Sequence, residues 1–108
     1  MLEAIELIEE FIGGLSFETY RADKKTRAAV ERELQIITEA AYRLQPEDEA
    51  LCPEPDWTGY RGMGNILRHS YHRVEDEIIW TTVQDDLPAL KRAVTRTLAE
   101  LDLPGDPL

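Results

Sequence analysis

Residues 29–44 read AVERELQIITEAAYRL, and Val30, Leu34, Ile37, Ala41 and Leu44 recur in it at steps of four, three, four and three. That spacing winds all five onto one stripe of an α-helix, whose period is 3.6 residues. The helix is predicted to start near Asp23 and to stop at Pro46, with PEDEALCPEPD (46–56) as a connecting loop. Working outward, Leu2, Ile5, Ile8, Ile12 and Leu15 mark a first amphipathic helix with Gly13 and Gly14 near its end. A third helix is expected from Trp57 to about His72. Val83, Leu87, Leu90, Val94, Leu98 and Leu101 then carry a last helical stripe. Pro88 falls inside that stripe, so Asp85 or Asp86 is read as an N-cap with the proline in the first turn of a new helix. No stretch alternates with a period of two. The expected fold is all-α, an up-and-down bundle of four to five helices, forming one domain over residues 1–104 with 105–108 as a frayed tail.

Composition narrows the function classes. The 108 residues are 43% hydrophobic and 31% charged, ordinary for a globular chain. No apolar run is long enough to span a membrane and no secretory signal is recognisable, so a cytoplasmic protein without membrane partners is expected. Cys52 stands alone and reads as a plain thiol in a reducing compartment. A net charge of −10 argues against a general nucleic-acid coat protein.

One stretch departs from that acidic balance. RGMGNILRHSYHRV, residues 61–74, holds three arginines, two histidines and no carboxylate. Residues 57–74 therefore carry +3 and the rest of the chain −13. On a helical wheel Arg61, Asn65, Arg68, His69 and His72 share one side, while Tyr60, Met63, Leu67 and Val74 share the other with Ser70 and Tyr71. Guanidinium groups offer planar forks of donors to phosphate oxygens, and imidazole exchanges protons near neutral pH. Together they could cleave RNA without a metal, the imidazole taking the 2′-hydroxyl proton and the arginine stabilising charge at phosphorus. Two alternatives stand beside this: a merely solvated polar face, and a metal site at His69 and His72. The second is weaker because no E-x-x-H pair accompanies them. No cofactor is expected.

The segment WTGYRGMGNILRHSYHRVEDEIIWTTVQDDLPAL (57–90) resembles the HepT-like branch of the HEPN superfamily, and FETYRADKKTRAAVERELQIITEAAYRL (17–44) is similar to that family's second helix. The resemblance implies an all-helical homodimer whose third helices form one cleft. It implies a metal-independent ribonuclease, the toxin of a toxin–antitoxin pair with an MntA-type nucleotidyltransferase as antitoxin. By position, His69 matches the motif histidine, Asn65 the motif asparagine and Tyr71 the tyrosine that the partner AMPylates; Trp57, Glu39 and Trp80 match structural positions. The motif arginine does not carry over, because Gly64 stands in its place. Catalysis is accordingly expected to be impaired, with Arg61, Arg68 and His72 left as possible phosphate-binding groups. Gly64 itself has three accounts: an inactive member, a disarmed variant, or substitution by Arg61. The alternative function is a non-catalytic RNA- or nucleotide-binding dimer that serves as the partner's AMPylation substrate.

Overall fold

The computed structural model describes residues 1–69, the His69 side chain excepted, and 76–101. They form α1 (Leu2–Ile12), α2 (Phe17–Ala22), α3 (Lys24–Arg43), α4 (Pro46–Leu51), α5 (Trp57–His69), α6 (Asp76–Thr81), a π-helical turn (Thr82–Asp86) and α7 (Leu87–Glu100). The chain is all-helical over the described residues, as expected. Among the described residues seven α-helices stand where four or five were predicted, because α2 and α4 are short helices that apolar periodicity does not announce. The expected tail at 105–108 lies outside the described residues.

Local chemistry explains the boundaries. Gly14, at φ +78°, turns the chain after α1 in a conformation that other residues rarely adopt, so Leu15 falls outside that helix. The Ser16 hydroxyl accepts the Thr19 N–H at 3.1 Å and starts α2. Asp23 caps α3 as predicted, accepting the Thr26 N–H at 3.1 Å and the Thr26 hydroxyl at 2.7 Å. Those two bonds hold its carboxyl below the usual range, the hydroxyl contributing most. The expected loop at 46–56 contains α4, which starts where the Asp48 carboxylate accepts the Gln45 N–H at 2.9 Å, with Pro46 in its first turn. Pro88 does stand in the first turn of α7, but the Asp86 side chain makes no capping bond. The chain arrives there already helical, through the π turn, with Asp86 at φ −95° and ψ −41°.

Helix α3 is the central element, packed against α1 and α5 and, near its start, against α2. Its predicted stripe is the core: Val30, Leu34, Ile37 and Ala41 are fully buried, and Leu44 packs partly buried at the end. Ile5 and Ile8 of α1 and Leu87, Leu90 and Val94 of α7 complete the same core. Both tryptophans serve it. The Trp57 indole N–H donates to the Cys52 carbonyl at 2.8 Å, and Trp80 packs on Tyr20 and Phe17 with ring centroids 5.1 and 6.1 Å away.

The crossing of α3 and α5 fixes where the arginine- and histidine-bearing helix lies. Thr38 is fully buried on α3, and Gly64 is buried opposite it on α5. A Cβ at position 64 would stand 2.7 Å from both the Thr38 Cβ and its Oγ1, closer than real carbon atoms approach. The β-branched threonine is stiff and donates its hydroxyl to the Gln35 carbonyl at 2.9 Å, so it cannot easily yield. Gly64 is therefore the residue that lets the two helices touch. Gly62, two residues earlier, faces open space.

The two glycines should thus respond oppositely to the same change. Gly64→Ala is expected to destabilise the fold by about 1–3 kcal/mol through overpacking. Gly62→Ala should stabilise it by up to about 1 kcal/mol, since alanine is the better helix former. Denaturant melts of both variants check this, and equal effects would contradict the close approach.

Candidate active site

Helix α5 turns Trp57, Tyr60 and Gly64 inward, and Gly62, Asn65 and Ile66 outward. Of the five polar residues that share one side of the sequence wheel, the structure describes the side chains of Arg61, Asn65 and Arg68, and it gives them different surroundings. Arg61 is withdrawn from the open face. Its guanidinium pairs with the Glu49 carboxylate of α4 at 3.0 Å, reaches the Ala41 carbonyl at 3.5 Å and the Thr58 hydroxyl at 3.3 Å. These contacts tie α5 to α3 and α4, and they leave Arg61 poorly placed to take a phosphate.

Arg68 behaves differently. Its side chain leans back along α5, as helical side chains do, until one guanidinium nitrogen lies 3.3 Å from the point where a Cβ of residue 64 would be. The guanidinium carbon stands 5.5 Å from the centroid of the Tyr42 ring on α3, within cation–π range. No carboxylate among the described residues is paired with Arg68. The missing side chain at position 64 thus leaves the lane that the Arg68 guanidinium occupies. Asn65 is exposed, and the His69 backbone ends the described part of α5 one turn beyond it. Tyr71 and His72 lie outside the described residues. Sequence reasoning missed Thr38 and Tyr42. Thr38 carries no readable signal, but Tyr42 does: it is an aromatic off the apolar stripe of α3.

The family description "Ribonuclease HepT-like" matches residues 1–97. The chain belongs to the HepT-like family. A protein named "Probable ribonuclease HepT" from Thermococcus cleftensis is 44% identical over 89 residues, covering 82% of this chain and 81% of that one. A protein named as a candidate RNase from Caldanaerobacter subterraneus subsp. tengcongensis is 33% identical over 98 residues, covering 91% and 88%. A two-function protein from Methanocaldococcus jannaschii, named as a gamma-glutamylcyclotransferase and candidate RNase, is 32% identical over 102 residues. That match spans 94% of this chain but 46% of the relative. No solved structure matches.

Elsewhere on this HepT-like chain the chemistry is of the opposite sign. A cavity of about 380 Å³ lies among Glu54, Asp56, Asp85, Asp86 and Tyr60, with Met63 and Leu90 as its apolar wall. Asp56 accepts the Gly59 N–H at 3.0 Å, and Glu54 pairs with Arg96 at 2.7 Å. The remaining carboxylates would repel a phosphate backbone, so this cavity is not where RNA would bind. Among the described residues no group of three or more His, Cys, Asp or Glu side chains is placed to hold a metal. No helix among them is long and apolar enough to cross a membrane.

Tyr60 reports on this acidic pocket. Burial pushes its phenol up to about 12, and the negative charges of Asp86 and Asp56 add to the shift. The folded state therefore favours the neutral phenol. Its contribution is fully present below the ordinary value of 10.0 and is lost as pH rises towards 12. Stability measured by denaturant melts should fall between those two values, and Tyr60→Phe should remove that part of the slope. An unchanged slope in the variant would contradict the burial of a neutral phenol.

Proposed function

We propose that this chain is a metal-independent endoribonuclease, the toxin subunit of a toxin–antitoxin pair, acting in the cytoplasm as a homodimer. The observation that carries the reading is the Arg68 guanidinium, lying over Gly64 without a carboxylate partner among the described residues, one residue before His69. Membership of a family described as ribonucleases supports the same substrate class. In the reaction, His69 takes the proton of a ribose 2′-hydroxyl. The 2′-oxygen attacks phosphorus, the bond to the 5′-oxygen breaks, and the leaving oxygen takes up a proton. Arg68 neutralises charge that grows on the phosphoryl oxygens, and Asn65 orients them by its amide. Dimerisation would bring a second His69 to the cleft as the proton donor. It would also cover apolar surface such as Ile66 and Ile78, 51% and 50% exposed in the single chain.

On this reading Gly64 does not disarm the protein. The glycine is needed for the crossing with Thr38, and Arg68 brings a guanidinium back to the turn where the family pattern carries one. Arg68 is preferred here to Arg61, whose guanidinium is paired with Glu49 at 3.0 Å. Tyr71 is the proposed target of AMPylation by an MntA-type nucleotidyltransferase partner. A bulky anion attached two residues after His69 in the sequence would close the site to RNA.

The test is cleavage of single-stranded RNA in buffer containing a chelator. The wild type should cleave. His69→Ala and Arg68→Ala should each lose about 100-fold or more. Arg61→Ala should lower stability while retaining cleavage. A folded wild type that binds RNA but never cleaves it would point to the binding-only alternative, and full activity in Arg68→Ala would remove its assigned role.

A further inference from the structure

Tyr42 has no place in the core or in the proposed chemistry, yet its position is defined. It follows the buried Ala41 on α3, faces away from the apolar stripe, and is 66% exposed. That exposure is measured with Arg68 already over one part of its ring. Every other aromatic side chain among the described residues is at least partly buried. An open aromatic ring beside a guanidinium that has no carboxylate partner among the described residues is a fit for one kind of ligand. Unpaired nucleotides of RNA are held by stacking their bases on aromatic rings and arginine planes, while cations take the adjoining phosphates. The Gly64–Thr38 crossing creates this pairing, because it brings α3 near enough for Tyr42 to meet a side chain of α5.

We propose that Tyr42 and Arg68 form a nucleobase platform, Tyr42 stacking an unpaired base and Arg68 holding the neighbouring phosphate beside the α5 face. The inference rests on the ribonuclease reading and adds the form of its substrate. Single-stranded RNA should bind in preference to duplex, because a paired base cannot leave its helix without losing its own stacking. Base identity should matter little, since every base offers a π face. Binding should weaken with salt through the phosphate contact.

The experiment uses the wild-type protein and a short 2′-O-methyl RNA strand, which cannot be cleaved, carrying either 2-aminopurine or one abasic position at each site in turn. Tyr42→Ala should weaken binding by about 10-fold or more and abolish the quenching of 2-aminopurine fluorescence. Tyr42→Phe should bind like the wild type. At one abasic position the loss caused by Tyr42→Ala should vanish, because there is no base to stack. The ring is exposed enough that the alanine variant should melt like the wild type. Wild-type affinity in Tyr42→Ala overturns the proposal, as does an equal loss at every abasic position, which would mean that Tyr42 only positions Arg68. A folded wild type that binds none of the strands would instead sink the ribonuclease reading, and this platform with it.

Discussion

The approach of α3 to α5 at Thr38 and Gly64 is the contact on which the rest of the molecule depends. It is made by the absence of a side chain. With no Cβ at position 64, the buried Thr38 can press against the backbone of α5. The same absence opens the lane in which the Arg68 guanidinium lies, and it carries Tyr42 to within 5.5 Å of that guanidinium. One missing methyl group thus sets a helix crossing, the seat of a cation and the environment of an aromatic ring. Interiors are packed densely enough that such a contact admits few substitutes.

Electrostatics then separates the arginines by role. Arg27 pairs with Asp76 at 3.2 Å, Arg61 with Glu49 at 3.0 Å and Arg96 with Glu54 at 2.7 Å. Each links segments distant in sequence, and each is unavailable to a ligand. Among the described residues Arg68 has an aromatic face in place of an acid. Arg68 does not line the Tyr60 cavity, whose carboxylates discourage phosphates there. A strongly acidic chain can in this way keep a guanidinium without an acidic partner among the described residues.

The long helices were legible in the sequence, and the short ones were not. The stripe from Val30 to Leu44 placed α3 with its Asp23 cap, and Trp57 and Pro88 placed α5 and α7. Helices α2 and α4 have six residues each, too few for a repeating apolar pattern; their caps, Ser16 and the Gln45–Asp48 pair, were the available signals. The site was half legible. The wheel grouped Arg61 with Asn65 and Arg68 by direction of Cβ, but long side chains travel several ångströms from that direction. Arg61 travelled to Glu49 and Arg68 to Tyr42, and neither choice is encoded in helical spacing. Gly64 was visible as a departure from a family pattern. Its packing role required knowing that Thr38 stands opposite.

That role is most directly tested by a double-mutant cycle between the two positions, read as unfolding free energy in denaturant. The four proteins are the wild type, Gly64→Ala, Thr38→Gly and the double variant, in which the small residue has changed sides. If the contact governs the crossing, the alanine at 64 should be tolerated once Thr38 is glycine, with a coupling of at least about 1 kcal/mol in favour of the exchange. Effects that add to within about 0.5 kcal/mol would contradict it, because two residues that truly exclude one another cannot act independently.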